Sequence, residues 1–412
     1  MKTDAIIIGS EFDGLIAATR LDECGYSIRM FSNGVGSLHY APEGIHVLGY
    51  TSSCSEQIVT APLAEISHLD KRHPYQKVGV QQVKNAFNWY ENIIGEIHQR
   101  VAINGSNKLA VSAAGLCIPV YGTFNHQATM EKISGKTVAI ARLRDYRNFP
   151  ADLIAVGLGN SGINNSIFDI DAPSKILENT VIAKAFDALD ELDGYFSAIK
   201  ESVPTQTEVI LFPAIMGMSR NSEVLAAAER VLEVPCLEVP TLPPSVPGMR
   251  LEHAFTHHLQ NSCTAFHLGG YPGRRWFVEG NQIVIYDDLG RRFEASVVIV
   301  SSGGVFMGGL DVDSYGLVHE TAFGFHAFQS EPLNAATVDQ SLNALHVAGV
   351  ETDNALRPQR KESGVWHNAF VTGRTLAHWN PAMESSTEGV CIATGWAAAE
   401  NAQVYLETIS NG

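Results

Sequence analysis

The residues best suited to chemistry stand near the start of the chain, where AIIIGSEFDG occupies residues 5–14. The apolar run ends at Gly9, and Gly14 opens a segment with helical apolar spacing. A buried strand, a tight glycine turn and a helix in this order are typical of folds that bind a pyrophosphate at the helix N-terminus. The segment therefore predicts the opening of a dinucleotide-binding α/β fold of the Rossmann-like type.

One residue of this turn departs from the G-x-G-x-x-G pattern, because Glu11 stands where the middle glycine is expected. That glycine allows the backbone to touch a pyrophosphate. A carboxylate about 4 Å from a phosphate charge costs roughly 4 kcal/mol at an effective dielectric constant of about 20. The helix dipole offsets only about 0.3–1 kcal/mol of that cost. We therefore expect Glu11 to weaken phosphate binding here.

The second predicted strand also lacks an expected group. An acidic residue about 20 residues after the turn usually binds a ribose hydroxyl, but the strand predicted over 27–31 ends in Ser32-Asn33. We interpret the scaffold as dinucleotide-binding in shape, with impaired adenine-dinucleotide chemistry.

Composition excludes several classes of protein. The chain has 412 residues, enough for two or three domains, and a formal net charge of −16 at pH 7. This charge disfavours nucleic-acid binding and direct attachment to an anionic membrane. The six cysteines form no C-x-x-C motif, so we expect reduced thiols in a cytoplasmic protein and no metal site. No run of about 18 apolar residues suggests a membrane span.

In the middle of the chain, predicted strands alternate with predicted helices. Strands are predicted at 137–143, 165–170 and 208–212, and amphipathic helices at 181–203 and 221–232. We therefore predict an inserted α/β domain over residues 126–250. Residues 1–125 and 251–412 would together form a discontinuous dinucleotide-binding-like domain.

A proline-rich segment, PTLPPSVPGMRL at 240–251, closes the predicted insertion. Prolines at this density exclude helix and favour a rigid extended path. A helix is predicted from about Met249 to Gln260, with Arg250 in its first turn. Arg250 could clamp a phosphate or carboxylate, or it could be a surface arginine at a domain hinge.

Together these segments resemble the B-subunit family of anaerobic glycerol-3-phosphate dehydrogenase, over most of the chain length. The proline-rich segment is the most specific part of the resemblance. Shorter motifs follow in the family's order: SLHY at 37–40, HPY at 73–75, GGL at 308–310, LRP at 356–358 and GVC at 389–391.

The resemblance implies a flavoprotein subunit with FMN, although FAD and the absence of any flavin both stay open. It would pass electrons from a catalytic FAD-containing subunit toward an iron–sulfur subunit and membrane quinone. It would be cytoplasmic and would reach the inner membrane only through that complex. The flavin-binding positions, taken over by alignment of motifs and including the turn itself, are Gly9, Ser10, Glu11, Gly14, Ser37, His39, Gly373, Pro381, Gly389 and Val390. His39 is the candidate nearest the flavin ring, and no catalytic residue is predicted.

The second glycine-rich loop of the family is also altered. Residues 384–388 read ESSTE where the family has a glycine run, and only Gly389 is retained. Two interpretations follow: a changed flavin pose, or a non-catalytic assembly subunit that kept the fold and lost the flavin. A free-standing flavin oxidoreductase with its own substrate is a third hypothesis.

Overall fold

The computed structural model describes residues 1–41, 44–51, 57–262, 264–269, 275–330, 344–360 and 364–410. In these ranges the strands are β1 (Lys2–Ile8), β2 (Ile28–Ser32), β3 (Val101–Val111), β4 (Cys117–Phe124), β5 (Val138–Leu143), β6 (Asn165–Ile170), β7 (Val209–Pro213), β8 (Cys236–Val239), β9 (Thr264–Leu268), β10 (Trp276–Glu279), β11 (Gln282–Tyr286), β12 (Arg292–Val300), β13 (Leu310–Val312), β14 (Val318–Glu320), β15 (Ala327–Phe328), β16 (Gly349–Val350) and β17 (Ala369–Val371).

The helices in the same ranges are α1 (Phe12–Glu23), α2 (Pro62–Glu65), α3 (Pro74–Val78), α4 (Val80–Ile97), α5 (Met130–Ile133), α6 (Ala151–Asn160), α7 (Asn179–Asp187), α8 (Leu192–Lys200), α9 (Asn221–Leu232), α10 (Val246–Gln260), α11 (Pro381–Glu384) and α12 (Thr387–Ser410). Short 3₁₀ turns cover Ser37–Tyr40, Ile66–His68 and Gly373–Thr375. No helix in these parts of the chain is both long enough and apolar enough to cross a membrane.

The chain divides into two compact units. The first comprises Met1–Ser37, His46–His98 and Ala254–Gly412, and the second comprises Leu38–Ile45 and Gln99–His253. The segment predicted as an insertion, residues 126–250, lies within the second unit, which also contains the β3–β4 hairpin. That these residues form an independent domain bounded at 126 and 250 stays a prediction.

A seven-stranded sheet forms the centre of the first unit, in the order β10-β11-β12-β1-β2-β9, with β17 also paired to β12. Strand β1 runs parallel to both β2 and β12, and Ile8 is level with Phe31 and Val300. The carboxyl ends of three strands therefore meet at one edge, directly before Gly9 and Ser301. This arrangement confirms the predicted Rossmann-like α/β fold.

The apolar run of β1 explains its central position. Residues Ala5, Ile6, Ile7 and Ile8 are fully buried, as expected for a parallel strand covered on both faces. Helix α1 packs on α12, where a Cβ added to Gly395 would lie 2.4 Å from the Asp13 carbonyl oxygen. Glycine at this position allows the two helix backbones to approach closely.

The second unit contains a parallel four-stranded sheet in the order β6-β5-β7-β8. The prediction of one helix over 181–203 is wrong, because the structure has α7 and α8 instead. The Asp187 carboxylate, at the end of α7, accepts hydrogen bonds from the backbone N–H groups of Met218, Ser219 and Arg220. The apolar periodicity of the sequence continues from α7 into α8, so it does not indicate the break between them or the distant partners of Asp187.

Arg250 clamps a carboxylate, as one of the two alternatives from the sequence had it, but this carboxylate belongs to the protein itself. It is buried in the second unit and donates two hydrogen bonds to Glu238, at 2.8 and 3.1 Å, and one to the Gly217 carbonyl. The alternative of a surface arginine at a hinge is therefore wrong, because Arg250 is buried. Its helix also begins earlier than predicted, at Val246 rather than Met249.

The described cysteines, Cys24, Cys117, Cys236 and Cys391, form no disulfide. Cys54 and Cys263 lie outside the described residues. No group of three or more His, Cys, Asp or Glu side chains in the described ranges could hold a metal ion.

Candidate functional site

A cavity of about 410 Å³ lies in the first unit, at the edge where the parallel strands end. The β1–α1 turn, the loop after β2 and the residues after β12 line it; they include Gly9, Ser10, Glu11, Ser32, Ser302 and Thr321. In open parallel sheets, ligands bind in the crevice outside the carboxyl ends of the strands. We therefore treat this cavity as the candidate site.

Glycines allow the segments around the cavity to pack closely on one another. Gly9 has φ +101°, and a Cβ on it would lie 1.8 Å from the Ser301 carbonyl oxygen. A Cβ on Gly14 would lie 2.7 Å from the Ser301 hydroxyl, and one on Gly36 would lie 2.7 Å from the Ser10 carbonyl oxygen. These three glycines therefore allow close packing of protein segments on the turn.

Glu11 stands at the entrance to α1 and is only 4% exposed. Its carboxylate accepts hydrogen bonds from the Ser37 backbone N–H, at 3.1 Å to each oxygen, and from the Ser37 hydroxyl. Burial raises the Glu11 pKa to about 7, against the opposing effect of the Ser37 hydrogen bonds. The carboxylate thus takes the donors of Ser37, in the loop after β2, and makes no capping hydrogen bond to the N-terminus of α1.

A second buried acid, Asp13, lies one residue inside α1. The Thr372 hydroxyl donates a hydrogen bond to it at 2.6 Å, and burial raises its pKa. A Cβ on Gly373 would lie 2.2 Å from Asp13 Oδ1. The Gly373 N–H already donates to the Thr394 hydroxyl at 3.0 Å. Gly373 therefore serves close packing around Asp13.

The altered C-terminal loop is closed by two carboxylate–histidine pairs. Glu388 contacts His46 Nδ1 at 2.9 Å, and Glu384 contacts His73 Nε2 at 3.1 Å. All four residues are buried. The ESSTE segment, which lacks the family's glycines, is therefore held by partners from the distant N-terminal part of the chain.

The backbone of this loop is engaged as well. The Gly389 N–H donates to the His46 carbonyl at 2.9 Å, and the Val390 N–H donates to the Ser386 carbonyl at 3.0 Å. A Cβ on Gly389 would lie 2.2 Å from the Tyr75 hydroxyl oxygen. The N–H groups of these two predicted flavin-binding residues therefore donate within the protein.

Of the ten predicted site residues, the structure brings Gly9, Ser10 and Glu11 to the cavity. Ser37 touches Glu11, whereas Gly14, Gly373, Gly389 and Val390 take part in the packing and hydrogen bonds described above. Pro381 begins α11 and lines a separate small cavity of about 20 Å³ with Arg374 and His346. His39 belongs to the second unit, where its ring contacts Glu252. The flavin-binding role of all ten residues stays a prediction.

Sequence reasoning missed three contributions to the site. The apolar residues 297–300 predict a strand that returns to the nucleotide-binding sheet, so the sequence indicates the segment of Ser301 and Ser302 but not their role. Thr321 stands in no motif. Asp13 lies inside the turn motif, but nothing in its neighbours indicates that it is buried.

A sheet whose central strands are parallel, with a ligand-sized crevice at their carboxyl ends, is typical of the class of nucleotide-binding α/β proteins. Consistently, residues 4–390 match the family described as FAD binding domain. The sequence is 24% identical over 440 residues to the B subunit of anaerobic glycerol-3-phosphate dehydrogenase from Aliivibrio fischeri (strain MJ11), covering 97% of this chain and 95% of the relative. It is 26% identical over 430 residues to the protein of the same name from Yersinia pestis, with 97% and 98% covered. The chain belongs to the FAD-binding domain family and is a divergent member of the branch that contains these B subunits.

Among solved structures, the 3-ketosteroid delta1-dehydrogenase from Sterolibacterium denitrificans is similar to this chain. The match has a TM-score of 0.46 and 10% identity, and it covers 98% of this chain and 99% of that one.

The residues present do not fit an FAD whose diphosphate rests on residues 9–14. The Glu11 carboxylate holds the Ser37 donors, and a Cβ on Gly303 would lie 2.9 Å from that carboxyl group. A phosphate added there would meet both a negative charge and occupied space. The family supports a flavin of the FAD class in general terms, whereas FMN in this chain stays a prediction.

Proposed function

We propose that this chain is the B-subunit component of an oxidoreductase complex related to anaerobic glycerol-3-phosphate dehydrogenase, and that it is a non-catalytic assembly subunit there. The names of the relatives support the kind of complex. The assembly role rests on one observation, the Glu11 carboxylate that accepts the Ser37 donors beside α1. Because Glu11 already satisfies the Ser37 donors, they need no diphosphate as a partner.

The proposed partners are a catalytic FAD-containing subunit and an iron–sulfur subunit. The net charge of −16 supports membrane attachment through these partners rather than by direct contact with anionic lipid. We accordingly propose a cytoplasmic position, peripheral to the inner membrane.

A second candidate is an electron-transfer flavoprotein subunit that passes electrons from the catalytic subunit toward the iron–sulfur centres and quinone. The cavity of about 410 Å³ at the nucleotide-binding edge favours it, as does the match to an FAD-binding family. This candidate requires a flavin, FMN or FAD, held in a pose that leaves Glu11 in place.

Co-expression with the two corresponding subunits separates these candidates. The complex is purified, its flavin is released and counted per catalytic subunit, and the same count is made on the two partners purified without this chain. The assembly role predicts a stable three-subunit complex with no additional flavin. One additional flavin for each copy of this chain would support the second candidate, and failure of the complex to form would contradict both.

A further inference from the structure

The cavity beside Glu11 has a composition unlike that of a phosphate site. Its lining includes the hydroxyl-bearing residues Ser10, Ser32 and Thr321, together with Glu11 and the apolar Val35 and Met307. Within the described parts of the chain, no lysine or arginine is among the lining residues. Its volume of about 410 Å³ falls in the usual range for small-molecule sites.

The end of β2 provides neutral groups where a carboxylate would usually bind a ribose. The Ser32 hydroxyl lies 2.7 Å from the Ser10 hydroxyl and donates to the Gly34 carbonyl at 2.7 Å. Ser32 Oγ also accepts from the Gly34 N–H at 3.3 Å. A hydroxyl oxygen has two acceptor lone pairs, so those of Ser32 are used within the protein, and the Ser10 hydroxyl can still accept a hydrogen bond from a ligand's hydroxyl group. The edge therefore suits an uncharged, hydroxyl-bearing ligand.

Glu11 disfavours the binding of anionic groups in the cavity. Its carboxylate takes the Ser37 donors, and the loop after β2 packs on the turn so closely that a Cβ on Gly36 would lie 2.7 Å from the Ser10 carbonyl oxygen. Ligand phosphates would have to displace this carboxylate or lie beside it.

We infer that the cavity is a binding site for a phosphate-free ligand of the nucleoside class, and that Glu11 determines this specificity by occupying the position of the first phosphate. The inference goes beyond the proposed function, because it concerns ligand choice by the isolated chain and does not require the complex. Assembly can fail while nucleoside binding succeeds, and the reverse also holds.

Titration calorimetry with adenosine, AMP and ADP tests this inference on the purified full chain, above pH 7, where Glu11 with its pKa of about 7 is largely ionised. We expect adenosine to bind the wild-type chain at least about tenfold more tightly than AMP, since charge repulsion opposes the phosphate. Wild-type chain that binds AMP or ADP as tightly as adenosine, or that does not bind adenosine, would overturn the inference.

Three variants sharpen the test. Glu11→Gln keeps the side-chain size and removes the charge, so the preference for adenosine over AMP should shrink severalfold. Glu11→Gly removes the bulk as well and should allow ADP to bind. Glu91→Gln makes the same charge change at an exposed position on α4 and should leave the wild-type preference unchanged. If the preference for adenosine over AMP changed equally in Glu91→Gln and Glu11→Gln, this would contradict the role of Glu11.

Discussion

Glu11 combines three properties: burial, a backbone N–H shared between its two oxygens, and a pKa raised to about 7. Its surroundings act in opposite directions. The negative charge of Asp13 raises the pKa further, while the positive charge of Arg374 lowers it. The protonation of this residue therefore changes in the neutral range, where most carboxylates stay ionised.

Glu11→Gln should flatten the dependence of stability on pH. Folded Glu11 holds its proton more tightly than unfolded Glu11, whose pKa is near 4.5. Its contribution is therefore fully present below pH 4.5 and is lost as pH rises through about 7. The loss amounts to about 3 kcal/mol, and the uncharged amide of the variant cannot show it.

Urea unfolding at a series of pH values from acidic to mildly alkaline measures this difference. The free energy of unfolding of the wild-type chain should fall by about 3 kcal/mol more than that of the Glu11→Gln variant. Glu91→Gln serves as the control, since its side chain is exposed. Parallel curves for wild type and Glu11→Gln would show that Glu11 titrates normally.

At the level of elements, α1 and α12 approach each other closely. Both helices are largely buried along their facing residues, and Gly395 lets the Asp13 carbonyl approach α12. The same two helices carry the buried acid Asp13 and the start of the C-terminal loop.

Gly395→Ala should destabilise the chain by about 1–3 kcal/mol. The new Cβ would lie 2.4 Å from the Asp13 carbonyl oxygen, and overpacking of this kind outweighs the better helix propensity of alanine. The matched control is Gly159→Ala in α6, where the nearest atom to the Cβ is 3.8 Å away. The free energy of unfolding of that variant should increase by up to about 1 kcal/mol. Thermal unfolding of both variants measures the contrast, and stabilisation in both would contradict the close helix contact.

Much of this organisation was predictable at the element level, because local apolar spacing determines strands and helices. The turn from β1 into α1, the parallel strands of the second unit and helix α9 follow their patterns closely. The helix predicted over 181–203 failed because Asp187 caps a loop more than 30 residues away. Periodicity reports which face of a segment is apolar, and it contains no information on such a partner.

For the whole molecule, the chain is a divergent member of a family whose named relatives are one component of a larger enzyme. An assembly role and an electron-transfer role both predict little activity from the isolated chain. A free-standing flavin oxidoreductase, the third hypothesis from the sequence, predicts the reverse. Activity of the single chain therefore distinguishes a complex component from an independent enzyme.

The purified chain should reduce an artificial electron-acceptor dye with glycerol 3-phosphate at a rate indistinguishable from that of buffer. Adding the catalytic FAD-containing subunit should produce dye reduction that depends on that subunit. A dye-reduction assay with each protein alone and with both together provides the comparison. Turnover by this chain alone, at a rate comparable to that of the mixture, would contradict its role within a complex.

The amino-acid sequence by itself determined the Rossmann-like class, the substitution of Glu11 in the phosphate turn and the loss of glycines at 384–388. These are local features, read from neighbouring residues. Only the tertiary structure decided that Ser37 satisfies Glu11, that His46 and His73 hold Glu388 and Glu384, and that a cavity remains beside the turn. The physical reason is that burial and hydrogen bonding depend on which distant segments meet, and His46 and Glu388 are 342 positions apart in the chain.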